Sequence, residues 1–149
     1  MKGVVVIIGY NRPDSIRRCY ESVVKAMYPQ KEEIDLIFSL DHSGMEAEIT
    51  KMISGFAWEH GEKKVITHEE RMGLRKHVIS CGCLVEDYDY LVMLEDDIIV
   101  SDSYSCIQNR RSKHMSSILR SSVFPCTDSM YIRRTADSLN RNTTEAIPI

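Results

Sequence analysis

Long apolar runs are missing from this chain. The longest purely aliphatic stretch, Val4–Ile8, has five residues, against the roughly 20 that a membrane helix needs. It also falls short of the about 7–15 apolar residues of a secretory leader, so neither a membrane span nor a leader is expected. Cysteine is sparse and unpaired in pattern. There are five, an odd number, and Cys81 and Cys83 stand as C-x-C rather than C-x-x-C. Neither a zinc site nor a disulfide framework is indicated, and a reducing, cytoplasmic setting is expected. No internal repeat is present. Glycine is absent from the last 47 residues, which hold nine serines, while all seven glycines fall between Gly3 and Gly82.

What is present is ordinary in bulk. A length of 149 residues fits one domain. With 43% apolar and 28% charged residues, disordered, collagen-like and coiled-coil classes are excluded. The charge is uneven, however. Residues 1–102 carry 12 Lys+Arg against 19 Asp+Glu, and residues 103–149 carry 7 against 3. The two stretches are therefore read separately, as a domain over 1–102 and a basic, Ser-rich tail over 103–149.

Hydrophobic spacing orders the first stretch. Val4–Ile8 is a β-branched run suited to a strand buried on both faces. A turn at Gly9–Pro13 follows, and Pro13 suits the first position of a helix. Ile16, Cys19, Tyr20, Val23, Val24, Met27 and Tyr28 then recur at helical spacing, with Pro29 as the stop. Ile34, Leu36, Phe38 and Leu40 alternate as a second strand. Ser43 and Glu46 have capping-box spacing, ahead of a stripe at Ile49, Met52, Ile53, Phe56 and Ala57 that Gly61 is expected to close. Lys64–Thr67 is a third strand. Gly73 opens a third helix with Leu74, His77, Val78, Cys81, Leu84 and Val85 inward. Tyr90–Leu94 is a fourth strand, expected to continue through Glu95-Asp96-Asp97 into Ile98–Val100. The order β-α-β-α-β-α-β implies an α/β fold with a mostly parallel sheet.

Ligands of such sheets bind beyond the carboxyl ends of the strands. Three polar groups fall there: Tyr10-Asn11-Arg12 after the first strand, Asp41-His42 after the second, and Glu95-Asp96-Asp97 after the fourth. Three adjacent carboxylates are costly unless a positive charge offsets them. In an extended chain Glu95 and Asp97 would point one way and Asp96 the other. One carboxylate could then meet a hard divalent cation and its neighbour a sugar hydroxyl. Magnesium and manganese sites often use one or two carboxylates and take further ligands from substrate phosphates.

At these residues the chain resembles the GT-A glycosyltransferases. Val4–Arg12 looks like their opening strand and nucleotide loop, and Met93–Ser101 like their D-x-D region. The E-D-D form, with Leu40-Asp41 upstream and Gly73-Leu74-x-x-His77 between, is closest to the N-acetylglucosaminyltransferase I type. The resemblance covers about residues 3–102, the Rossmann-like nucleotide-sugar half. It implies transfer of a sugar, with inversion, from a nucleotide-diphosphate sugar (UDP favoured) to a glycan acceptor, using Mn2+ or Mg2+. Tyr10, Asn11 and Arg12 would line the nucleotide, Arg12 facing a phosphate or the base. Asp41 would bond the uracil edge, and His77 would lie against the uridine. Asp96 would contact the ribose or donor sugar, with Glu95 in the same set, and Asp97 would coordinate the metal.

Other readings of the same residues stay open. Tyr10 could simply pack, Arg12 could be a surface residue at a helix start, Asp41 a turn or cap residue, and His77 a satisfied core histidine. Glu69-Glu70-Arg71 reads as a solvated loop, with Arg71 and Arg75 as possible diphosphate contacts. Residues 103–149 do not continue the family pattern. No residue there or elsewhere presents itself as the catalytic base; Asp128 and Asp137 are formal candidates only. The coding sequence is accordingly expected to be truncated and the chain weakly active or inactive. One alternative is a non-catalytic nucleotide-sugar-binding remnant. Another is a nucleic-acid or protein interaction module using the tail. Its only aromatics are Tyr104, Phe124 and Tyr131, and nucleic acid is not expected as a partner.

Overall fold

A computed structural model describes residues 2–102, together with the backbone of 124–126 and 129–133. Four parallel strands form its frame: β1 (Lys2–Gly9), β2 (Glu33–Leu40), β3 (Lys63–Thr67) and β4 (Tyr90–Glu95). They alternate with helices α1 (Pro13–Lys25), α2 (Glu46–Ser54) and α3 (Leu74–Cys83), and a 3-10 turn at Leu84–Asp87 leads into β4. Two more strands, β5 (Phe124–Cys126) and β6 (Ser129–Arg133), complete a sheet of order β3-β2-β1-β4-β6-β5. The first four strands pair in parallel, and β6 runs antiparallel to both β4 and β5. The α/β, mostly parallel fold expected from the sequence is the fold observed.

Alternating side chains of β1 explain why the sheet is covered on both faces. Val5 and Ile7 face Ile16, Cys19, Tyr20 and Val23 of α1 and Ile49 and Ile53 of α2. Val4, Val6 and Ile8 face the other way, toward Cys81 of α3, Tyr88 and Met93. Nearly every residue of β1 is therefore buried, which is why the strand reads as an unbroken aliphatic run. Fully burying each such side chain contributes about 1.5–3 kcal/mol. The connection through α3 carries the chain from β3, at one edge, across to β4 on the far side of β1. Strand order thus reverses at β1, and the crevice opens beyond the carboxyl ends of β1 and β4.

The edges are managed by local chemistry. β3 carries Lys63 and Lys64, charges that discourage further strand pairing. Lys63 Nζ also donates to the Ile53 carbonyl in the last turn of α2 at 2.8 Å and to the Phe56 carbonyl just past it, so the lysine caps the end of that helix. The opposite edge strand, β5, contains Pro125, a residue tolerated in sheets mainly at edges. β5 and β6 lie within residues 103–149, so the sheet continues past the change of composition at residue 102.

Five local expectations are corrected. Leu74, expected inward on α3, is 60% exposed at the first position of that helix. Helix α1 ends at Lys25, before Met27 and Tyr28; Ala26 is already extended, and Tyr28 instead donates its hydroxyl to the Val23 carbonyl at 2.8 Å. Helix α2 ends at Ser54, not near Gly61. Phe56 has left the helix and stacks on Tyr20 with ring centroids 4.0 Å apart. Gly61 serves a close approach: a Cβ there would stand 2.4 Å from the Ile34 carbonyl oxygen. The capping box is half formed, because Glu46 accepts from the Ser43 and Gly44 amides while no side chain caps the first turn. Finally, Ile98–Val100 does not extend β4. Asp96 and Asp97 form a turn, closed by the Ile98 amide on the Glu95 carbonyl at 3.1 Å. The chain then folds back so that the Val100 amide donates to Ser22 Oγ of α1 at 3.1 Å.

Candidate functional site

Beyond the carboxyl ends of the strands lies a cleft of about 190 Å3. Its floor is Ile8 and Gly9 at the end of β1, and its walls come from four separate loops. Tyr10 and Arg12 enter from the β1–α1 loop, and Asp41 from the end of β2. Arg71, Gly73, Leu74 and His77 enter from the β3–α3 segment, and Glu95 and Asp96 from the end of β4. Six of the eight residues singled out from the sequence therefore meet at one place. Asn11 is exposed beside the cleft without lining it, and Asp97 is exposed in the turn next to Asp96.

Asp41 organises the wall. Its Oδ1 accepts from the His42 amide at 2.9 Å and the Met72 amide at 2.8 Å, and its Oδ2 from the Gly73 amide at 2.9 Å. Its own amide donates to the Gly9 carbonyl at 3.0 Å. One residue, through its amide and its side chain, thus ties the ends of β1 and β2 to the loop that starts α3. Gly73 takes φ +76, a left-handed conformation that glycine adopts without strain. That bend aims Arg71 back over the cleft, its guanidinium 5.0 Å from the Tyr10 ring centroid, a cation–π distance. Burial alone would push the Asp41 carboxyl up, but the Met72, Gly73 and His42 amides hold it below the usual carboxylate range.

This shift fixes a pH dependence. With the folded value depressed, the unfolded chain binds the proton more readily, so stability falls as pH falls. The contribution of Asp41 is whole above the unfolded value of about 4 and is lost as pH drops through the folded one. Urea unfolding of wild type and Asp41→Asn at pH 7 and pH 3 should show a gap that narrows at the lower pH. An unchanged gap would contradict this role.

His77 is buried at 2% exposure, its Nε2 2.7 Å from Ser39 Oγ on β2. The His68 ring stands edge-on to it at 5.1 Å. Burial pushes the imidazole pKa down and His68 adds to this, while Asp41 opposes it. His77 is thus a hydrogen-bonded core histidine, the second of the readings offered by the sequence, and it also lines the cleft. Its partner Ser39 was not singled out, because a serine inside an apolar strand carries no signal until α3 is placed against it.

The acidic turn is not the alternating array that an extended strand would make. Asp96 is buried at 3% exposure, whereas Glu95 and Asp97 are exposed. Arg12 Nη2 donates to Asp96 Oδ1 at 2.6 Å, and its Nη1 is 3.9 Å from Asp97 Oδ2. Burial nevertheless keeps the Asp96 carboxyl above its ordinary range, with Arg12 opposing and Asp97 reinforcing that shift. Among the described residues, no three His, Cys, Asp or Glu side chains converge on a common point that could hold a metal ion. The donors that remain are hard carboxylate oxygens on an open rim. Such a set fits Mg2+ or Mn2+ with one or two protein ligands and the rest from phosphate and water.

An open parallel sheet with a polar cleft at the point where strand order reverses is the build of mononucleotide-binding α/β domains. More specifically, the chain belongs to glycosyl transferase family 2, whose pattern it matches over residues 4–110. That match runs eight residues past the change in composition. No curated protein matches the chain. Among solved structures, it is similar to TarS of S. aureus in complex with UDP, with a TM-score of 0.55 and 15% identity over 78% of this chain. TarS in complex with UDP-GlcNAc gives a TM-score of 0.54 at 15% identity, again over 78% of this chain. In both cases that chain is TarS 1-349, of which this chain spans 32%, and it spans 20% of the longer TarS chain. At these identities the likeness concerns the fold, which is of the GT-A type. Among the described residues, no helix is long and apolar enough to cross a membrane.

Proposed function

We propose that the cleft is the donor site of a metal-dependent, inverting glycosyltransferase. It would take a nucleotide-diphosphate sugar, with UDP favoured, and serve transfer to a glycan. The observation that carries this reading is the meeting of Tyr10, Arg12, Asp41, Arg71 and Asp96, drawn from four loops, at the strand-order reversal. The fit of TarS to UDP and UDP-GlcNAc supports the choice of donor. The E-D-D sequence supports the N-acetylglucosaminyltransferase I type.

The size of the cleft divides the ligand. At about 190 Å3 it is smaller than the roughly 300–1,000 Å3 of a pocket that encloses a whole drug-sized ligand. It suits a base and ribose, leaving the diphosphate on the open rim. Tyr10 would pack against the base. Asp41 spends three of its acceptor positions on backbone amides and keeps one on Oδ2 for a base N–H. Arg12 and Arg71 supply positive charge for the diphosphate. Asp96 would accept from ribose or sugar hydroxyls. Asp97, with Glu95 beside it, would hold Mn2+ or Mg2+. When bound, that ion would offset the charge that builds on the departing diphosphate. The proton of the acceptor hydroxyl would need a carboxylate base, and none of the cleft carboxylates is free of a donor-side role.

Calorimetric titration of the chain with UDP and with UDP-sugars, each with and without Mn2+, tests this. Saturable binding that strengthens with Mn2+ is expected. No heat with any nucleotide under either condition would overturn the donor-site reading. A parallel assay for sugar released or transferred separates a transferase from a non-catalytic donor-binding domain.

A further inference from the structure

Arg12 connects the two halves of the proposed site in an unexpected way. The residue belongs to the β1–α1 loop, yet its guanidinium lies on the acidic turn 84 positions away. It is bonded to buried Asp96 at 2.6 Å and stands 3.9 Å from Asp97. Its own side chain is 55% exposed, whereas that of Asp96 is 4% exposed. The arginine is therefore the partner that can leave. A cation placed on Asp97 would face a positive group already beside it. Asp96, for its part, would be left as a buried charge without a counter-ion if Arg12 departed with nothing in exchange.

We propose that Arg12 is an internal counter-ion that guards the acidic turn against a divalent cation until a diphosphate draws it away, so that this one side chain makes metal and nucleotide bind cooperatively. The proposal rests on the donor-site reading above. A diphosphate offers guanidinium the fork geometry that a carboxylate offers, with more charge. Ribose hydroxyls would give Asp96 a replacement donor. Once Arg12 has turned to the diphosphate, Asp97 is freed from its positive neighbour. By linkage, whatever the nucleotide adds to metal affinity the metal adds to nucleotide affinity.

The test is a titration of Mn2+ on the full chain, read from the electron paramagnetic resonance of free Mn2+, with and without UDP. Wild type, Arg12→Gln and Arg12→Lys are compared, so that Mn2+–UDP association in solution cancels. Without UDP, Arg12→Gln should bind Mn2+ at least about 5-fold more tightly than wild type, the low end of usual coupling. The strengthening caused by UDP should shrink in that variant, and Arg12→Lys should fall between. In wild type alone, the Arg12 Nε resonance should shift when UDP is added without metal, a readout that needs no folded variant. Equal or weaker Mn2+ binding by Arg12→Gln, or an Arg12 signal that UDP leaves in place while UDP still binds, would overturn the counter-ion role. If neither wild type nor variant takes up UDP with Mn2+ present, the donor-site reading falls and the coupling with it. The Mn2+-only comparison then still decides whether Arg12 restrains the turn.

Discussion

Asp97→Asn should lower Mn2+-supported UDP affinity by about 100-fold, or about 2.8 kcal/mol, while leaving metal-free UDP binding nearly unchanged. The expectation follows from exposure. Asp97 is the exposed aspartate of the turn, and its neighbour Asp96 is committed to Arg12 at 2.6 Å. A hard divalent ion held by one or two protein carboxylates loses most of its anchor when one becomes an amide. The fold should be indifferent, because Asp97 makes no contact shorter than 3.9 Å with Arg12. Calorimetry on wild type and variant, with and without Mn2+, gives the comparison directly. Equal loss in the metal-free titration would mean that Asp97 acts on the nucleotide itself or on folding.

The second large effect is on stability. Asp41→Ala should cost about 3 kcal/mol, because three backbone amides lose a charged acceptor and only partly regain water. For a chain of this size that corresponds to a fall in Tm of about 10 °C. The change should also loosen the Met72–Gly73 bend, and with it the placement of Arg71 over Tyr10. UDP binding should therefore weaken beyond the loss of one base contact. Asp41→Asn should fall between, since it keeps one carbonyl acceptor. Thermal unfolding followed by far-UV circular dichroism measures the first effect. A drop of less than about 1 kcal/mol, the net worth of one ordinary hydrogen bond, would show that the loop is held by other contacts.

Legibility from sequence tracked the range of the interactions involved. β1 and β4 are buried on both faces and their apolar runs identify them, β2 shows alternation at Ile34, Leu36, Phe38 and Leu40, and α1 shows its stripe and Pro13 directly. The rim position of Tyr10, Asp41 and Asp96 also follows, because parallel α/β topology sends every strand's carboxyl end to the same side. What stayed hidden depends on distant partners. Ile98–Val100 is as β-prone as β4, but the Ser22 hydroxyl, 78 residues away, accepts the Val100 amide and draws the segment over α1. In sequence Arg71 reads either as part of a solvated loop or as a diphosphate contact, and the Asp41 bonds to the Met72 and Gly73 amides are what hold its loop at the cleft. Phe56 continued the α2 spacing in sequence, yet stacking on Tyr20 takes it off the helix. β5 and β6 are too short to stand out by pattern, and their pairing with β4 defines them.

The central claim is that loops after β1, β2, β3 and β4 form one nucleotide-diphosphate site. Amide chemical-shift mapping of the 15N-labelled full chain, titrated with UDP in the presence of Mg2+, tests it most directly. The account predicts saturable shifts concentrated at Tyr10, Arg12, His42, Met72, Gly73, Asp96 and Asp97. The opposite ends of the strands, around Lys2, Asp35 and Tyr88, should stay still. Shifts centred on that opposite end, or no shifts at all, would contradict it.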